Sequence, residues 1–238
     1  MTLLAQGTAL VTGASRGIGL EVARALVDEG MRVAMLARSE RDLRARAREL
    51  GERAIPITCD VGDEEAVRGG TARAIDALGG SPEIVVNNAG VFELARVDRA
   101  APKDFRRALD VNLVAPFLIV HALLPAMREH RRGHIVTIGS IADRTTFPEN
   151  GAYAASKFGL RALHQVLVAE LHGSGVRATL VSPGPVDTAL WDEVQPDERE
   201  GFTPRKRMLS AAAVAGAVRF AVTQPADVNV DELRLSRS

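Results

Sequence analysis

A chain of 238 residues, 46% hydrophobic and 25% charged, has the makeup of a globular α/β domain and is long enough to bury a large core, which excludes disordered and fibrous proteins. Thirty acidic residues balance thirty basic ones. No net field therefore draws the chain to nucleic acid or to an anionic membrane, and the expected partner is a small molecule. The single cysteine, Cys59, has no companion for a disulfide or a zinc site. The start of the chain lacks the basic segment and long apolar core of a signal peptide, and the two together point to the reducing cytoplasm. The longest apolar stretch, Leu113 to Val120, reads as too short to span a bilayer and contains Pro116.

In chain order, short aliphatic runs at 8–12, 32–37, 54–59, 84–87, 134–139, 176–181 and 228–235 read as strands. Segments of helical period lie between them at 17–29, 40–50, 63–78, 102–130, 152–173 and 210–223. The strands are continuously apolar and not alternating, as expected of a parallel sheet covered on both faces. Strand then helix, repeated, predicts one Rossmann-like domain over 1–238: a doubly wound parallel sheet of about seven strands with helices on both faces. Residues 184–209, rich in Pro, Asp, Glu and Arg, are too long for an ordinary connection. They read as a substrate lid or as a surface excursion. Trp191, Phe202 and the basic run Arg205, Lys206 and Arg207 lie in it, either to close over a substrate or to solvate a loop.

The first strand runs into Gly13-Ala14-Ser15-Arg16-Gly17-Ile18-Gly19 and then into a helix. Glycines at such a turn let the backbone approach a pyrophosphate, whose charge meets the helix N-terminus. A dinucleotide cofactor is expected there, although the order is G-x-x-x-G-x-G. An NADH enzyme places a carboxylate at the end of the second strand. Here that position is Ala37, followed by Arg38, and Arg16 adds a second positive charge, so NADP(H) is expected.

Tyr153 and Lys157 are four residues apart on a predicted helix, where an ammonium sits beside a phenol and favours its ionised form. Free tyrosine titrates near ~10, so such a pair makes a tunable acid. Tyr153 is the only tyrosine, and Lys157 is one of only three lysines. Five histidines, His121, His130, His134, His164 and His172, have no metal-ligand spacing, and no metal is expected.

The glycine turn, Asn87-Asn88-Ala89-Gly90, Ser140, Tyr153, Lys157 and Pro183-Gly184-Pro185-Val186-Asp187-Thr188 together resemble the short-chain dehydrogenase/reductase family over essentially the whole chain. The resemblance implies catalysis by Asn112, Ser140, Tyr153 and Lys157. It implies that Asp60 and Val61 contact the adenine, that Asn88 and Gly90 flank the cofactor, and that Pro183, Gly184, Val186 and Thr188 receive the nicotinamide. In that mechanism Tyr153 passes a proton to a carbonyl oxygen, Lys157 lowers the phenol's pKa and holds the ribose, and Ser140 orients the carbonyl. Pro116 lies four residues after Asn112 and has no N–H, so the Asn112 carbonyl is expected to be free to hold a water of a proton relay. A distortion made for packing is the other reading. The implied activity is NADPH-linked reduction of a small carbonyl, or the reverse oxidation of a secondary alcohol. A 3-oxoacyl-carrier-protein reductase and a non-catalytic dinucleotide sensor are the alternatives. The C-terminal run 226–235 lacks the glycine-rich strand of many family reductases, which weakens the first alternative. The resemblance also implies a homo-oligomer, a tetramer or a dimer, joined through the helices at 102–130 and 152–173. Leu109, Leu113, Phe117, Val120, Phe158, Leu160, Leu163 and Leu167 are the expected interface residues.

Overall fold

Seven parallel strands, in the order β3-β2-β1-β4-β5-β6-β7, form the sheet of the computed structural model, which describes residues 7–238. The start of the chain, read above for the absence of a leader, lies outside the described residues. The strands are β1 (Thr8–Thr12), β2 (Arg32–Ala37), β3 (Ala54–Thr58), β4 (Ile84–Asn87), β5 (Gly133–Ile138), β6 (Val176–Pro183) and β7 (Glu232–Leu235). The helices are α1 (Gly17–Asp28), α2 (Glu40–Leu50), α3 (Glu64–Leu78), α4 (Pro102–Leu109), α5 (Ala115–Glu129), α6 (Gly151–Leu171) and α7 (Ala211–Val222).

Successive side chains of a strand point to opposite faces, and here both faces are apolar. Val11, Met35, Val86, Val136 and Val181 meet Val22, Leu26, Val214 and Val218 of α1 and α7. Leu10, Leu36, Val85, Ile135 and Ala178 meet Val67, Ile119, Leu123 and Leu167 of α3, α5 and α6. Strand order reverses between β1 and β4, so the carboxyl ends of these two strands open a crevice between diverging connections, the usual place for a ligand in such sheets.

The helix expected over 102–130 is interrupted. Asp110–Val114 form a π-helical turn in which the Ala115 N–H reaches Asp110 O. Pro116 has no N–H to give, and the ladder widens just before it. The run from Pro102 to Glu129 is 28 residues, long and apolar enough by length and composition to cross a membrane, contrary to the expectation drawn from Leu113 to Val120. Its Ala115, Ile119, Leu123 and Met127 are buried against the sheet. Strand β7 starts later than expected. Ahead of it Asn229 uses its side-chain amide as a ladder rung, accepting from the Ala178 N–H at 3.1 Å and donating to Ala178 O at 3.1 Å.

Segment 184–209 is tied down at several points. Asp187 N–H donates to Leu209 O at 2.8 Å, and Arg205 pairs with Asp187 at 2.8 Å and Asp192 at 2.5 Å. From the C-terminal tail, Arg237 donates to the carbonyls of Lys206 (2.7 Å) and Met208 (2.9 Å).

Candidate active site

The crevice at the strand ends is a cleft of about 400 Å³. One end is the glycine turn. Gly13 has φ +66°, and a Cβ there would come within 2.9 Å of Ala89 Cα and of Asn88 Nδ2. Asn88 fills the turn from behind, donating from Nδ2 to Thr12 O at 2.8 Å, while its N–H meets Thr12 Oγ1 at 3.0 Å. Helices α2, α3 and α7 are capped by Ser39, Asp63 and Ser210. Helix α1, which opens directly onto the glycine turn, has neither a side-chain cap nor an acidic residue in its first turn. Its N-terminal N–H groups and partial positive charge are left for an anion.

Gly13, Ser15, Arg16, Gly17, Ile18, Arg38, Asp60, Val61, Asn88, Gly90, Pro183, Gly184, Val186 and Thr188 all line this cleft, as do Ser140, Tyr153 and Lys157. Gly19 does not. It lets α1 approach the turn, since a Cβ would fall 2.3 Å from Gly13 O and 2.4 Å from Asn88 Nδ2. Ala37 and Arg38 stand together as expected, with Ala37 buried and Arg38 exposed. The acid missed in the sequence is Asp42. Ser39 Oγ donates to its carboxylate at 2.7 Å, and both residues line the cleft beside Arg38.

At the other end α6 presents Tyr153 and Lys157 to the cleft. Ser140 follows β5 and starts a 3₁₀ turn, Ile141–Asp143, its Oγ accepting from the Ala142 N–H at 3.1 Å. Ser140 lines the cleft together with Tyr153, and its side chain favours the ionised form of the phenol. Lys157 donates to Ile138 O at 2.9 Å, with Nζ 5.7 Å from the Tyr153 ring centre. Burial pushes the phenol up to about 12, with Ser140 working downward and the charge of Asp143 upward. Burial also pushes the Lys157 ammonium down to about 8, against the pull of Asp143. Of the neighbours, Ser140 works downward on the phenol, and desolvation outweighs it.

Asn112 is fully buried in the π-helical turn and does not line the cleft. Its Oδ1 accepts from the Val91 N–H at 2.9 Å, and its Nδ2 donates to Val91 O at 3.0 Å and to Ser156 Oγ at 2.9 Å. Ser156 Oγ in turn donates to Tyr153 O at 2.7 Å. The side chain thus couples the 88–91 connection to the first turn of α6.

Sequence reading missed Asp143. Its side chain is fully buried, accepts from Ser182 Oγ at 2.6 Å, and pairs with Arg144 at 2.7 Å and Arg161 at 3.4 Å. Both arginines also pair with Glu232 of β7. Burial disfavours the Asp143 charge, but hydrogen bonds from Arg144 and Ser182 outweigh it and hold the carboxyl below its usual range. The missed aromatics are Phe92 and Phe147, which line the cleft with Trp191. Phe92 lies edge-on to Tyr153, with ring centres 4.8 Å apart.

A family model described as short chain dehydrogenase matches residues 7–199. An uncharacterized oxidoreductase of Staphylococcus aureus (strain MW2) is 33% identical over 234 residues, which are 98% of each chain. Among solved structures, a metagenomic short-chain oxidoreductase in complex with NADP is 32% identical with a TM-score of 0.85, covering 99% of this chain and 98% of that one. An alcohol dehydrogenase from the archaeon Thermococcus sibiricus, complexed with 5-hydroxy-NADP, is 30% identical with a TM-score of 0.84, covering 97% and 96%. With the family match spanning most of the chain and relatives aligned end to end, this protein belongs to the short-chain dehydrogenase family.

Proposed function

We propose that this oxidoreductase uses NADP(H), with a preference for NADPH over NADH, to interconvert a small carbonyl compound and its secondary alcohol, and that Tyr153 is the general acid and base. One observation carries the reading: a single cleft holds an uncapped helix N-terminus behind a glycine turn at one end and Tyr153, Ser140 and Lys157 at the other. The residues fit the cofactor. Gly13, Ser15, Gly17 and Ile18 line the cleft at the uncapped start of α1, where a pyrophosphate would meet main-chain N–H groups, and Arg16 and Arg38 offer two cations at the same end for a 2′-phosphate. The neighbours solved with NADP or its 5-hydroxy derivative support this choice.

Bound there, the nicotinamide supplies or accepts the hydride. Tyr153, with its phenol up at about 12, enters the reduction loaded with the proton it gives to the carbonyl oxygen. Ser140 fixes that oxygen and keeps the phenol hydroxyl aimed at it. Lys157 contributes its positive charge below about pH 8 and an N–H for the cofactor ribose. The proton is returned through Lys157 and a water on the Asn112 carbonyl, which Pro116 has no N–H to occupy. Segment 184–209 closes the substrate end.

The test is NADPH oxidation with diketones, aldehydes and acetoacetyl thioesters, and NADP+ reduction with hydroxy acids and secondary alcohols. Turnover with a carbonyl compound is expected; firm cofactor binding without any turnover would favour the sensor alternative and sink this reading. We propose a homo-oligomer as well. Helices α5 and α6 leave Phe117 45%, Phe158 42% and Val166 54% exposed, although Leu160 and Leu167, also expected at an interface, are buried within the chain. A monomer by light scattering at micromolar concentration would refute this.

A further inference from the structure

The chain has seven phenylalanines, one tryptophan and one tyrosine, and five of these nine rings form a continuous file at the mouth of the cleft. Phe92 lies 4.8 Å from Tyr153 and 5.0 Å from Trp191, Trp191 lies 6.4 Å from Phe202, and Phe202 lies 6.5 Å from Phe147, at interplanar angles of 63° to 87°. These are the edge-to-face arrangements that aromatic rings prefer. A cluster made for stability would be buried, yet none of the four rings beside Tyr153 is, and Phe147 and the adjacent Ile141 stand 39% and 44% exposed. Apolar surface kept in water around a reactive hydroxyl marks a ligand face.

Among the described residues the cations that line the cleft are Arg16, Arg38, Arg107 and Lys157, and none comes from segment 184–209. Arg16, Arg38, Asp42 and Asp60 line the cofactor end. Arg107 lies one turn before Val111, which packs at Gly62 next to Asp60. Two arginines of segment 184–209 are committed elsewhere: Arg199 pairs with Glu149 at 2.7 Å and lies over Phe202, and Arg205 pairs with Asp187 and Asp192. Lys157 is buried and bonded to Ile138 O.

Resting on the reductase reading above, we infer that the substrate is an uncharged aryl ketone or the matching secondary benzylic alcohol. Its ring lies against Phe92, Phe147 and Trp191, and its oxygen lies between Tyr153 and Ser140. In reduction the carbonyl carbon gains hydride from the dihydronicotinamide, which is oxidised, and the carbonyl π bond breaks as its oxygen takes the Tyr153 proton. Solvent restores that proton. Keto acids, phosphorylated substrates and carrier-bound acyl thioesters are disfavoured, because each brings an anionic group that this end leaves unpaired.

The experiment compares acetophenone with 2-butanone, which lacks the ring, with benzoylformate, which adds a carboxylate, and with an acetoacetyl thioester. The kcat/KM for acetophenone should exceed each of the others by about 10-fold or more. Trp191→Leu and Phe147→Leu should each shrink the acetophenone to 2-butanone ratio at least ~3-fold, chiefly through KM. Benzoylformate, 2-butanone or the thioester matching or beating acetophenone overturns the inference and leaves the reductase reading standing. If no carbonyl compound is turned over, the reductase reading fails, and Trp191 then decides the inference alone, being the only tryptophan. In Tyr153→Phe protein loaded with NADP+, 1-phenylethanol should change its fluorescence saturably where 2-butanol at equal concentration does not. No change, or the same change with both, overturns it.

Discussion

The two ends of the cleft are made of different material. The glycine-turn end uses main chain and residues within a few positions of strand ends: the 13–18 turn after β1, Arg38 after β2, Asp60 and Val61 after β3, and Asn88 and Gly90 after β4. The sheet dictates those positions, because parallel strands must finish side by side. The aromatic end is assembled from side chains in three long connections, Phe92, Phe147 and Trp191, with Phe202 behind them. No strand register fixes these, so this end is free to change substrate while the other keeps its cofactor.

The sharpest way to break this division is at the residue where the ends meet. Tyr153→Phe removes one hydroxyl and leaves the ring against Phe92. Its turnover should fall at least ~100-fold, the usual scale for a lost general acid, with NADPH affinity retained. Titration of NADPH fluorescence beside steady-state rates checks both halves, and near-normal turnover by a folded variant would sink the assignment.

Next in size is a change confined to the cofactor end. Ala37→Asp with Arg38→Leu replaces a small residue and a cation by the carboxylate that accepts from free ribose hydroxyls. The ratio of kcat/KM for NADPH to that for NADH, at least ~10-fold in the unmodified protein, should be lost or reversed, roughly 1.4 kcal/mol per factor of ten. A ratio at or below one in the unmodified protein, or an unmoved ratio in the variant, contradicts the reading.

This asymmetry also explains what was legible in the sequence. The strand runs, the glycine turn and the Tyr153 to Lys157 spacing are local patterns, and the fold places them where those patterns require. Gly19 was read as part of the cofactor site because glycine spacing does not say which glycine faces the ligand and which admits a neighbour; only the 2.3 Å approach to Gly13 O separates them. The aromatic file and Asp143 were illegible for another reason. Asp143 meets Ser182 and Arg161, and Glu232 only through the arginines, partners distant in sequence, and nothing local distinguishes it from a surface turn acid. The upward shift of Tyr153 was also missed, since spacing shows the helpful neighbour but not the desolvation around it.

Asp143 supplies a smaller effect that reaches across the division. The charged and titratable groups facing it are Arg144 from its own turn, Tyr153, Lys157 and Arg161 from α6, and Glu232 beyond the arginines; β6 contributes the neutral Ser182. Its negative charge supports the Lys157 ammonium against burial, so Asp143→Asn lowers the Lys157 pKa below about 8. The alkaline limb of kcat/KM should then begin at lower pH, with a few-fold loss at pH 7.5 and little at pH 6. A merely structural role would lower activity evenly across pH, and an unmoved limb refutes the link. Glu232→Gln, one shell further out, should move the limb in the same direction by less.

The smallest expected effect lies at Asp42, the acid beside Arg38. Its carboxylate takes the Ser39 hydroxyl hydrogen bond at 2.7 Å at the start of α2, where a negative charge helps the helix by only about 0.3–1 kcal/mol. The same charge opposes a 2′-phosphate on Arg16 and Arg38. Two unit charges about 8 Å apart in water interact by about 0.5 kcal/mol, and salt cuts such terms to roughly a third over one Debye length. Asp42→Asn keeps an acceptor for Ser39 and should raise the NADPH to NADH ratio by about 2- to 3-fold, more at low ionic strength than at high. A rise that ignores salt would point to altered helix packing instead of charge. A fall in the ratio would mean that Asp42 positions Arg38 and does not compete with it.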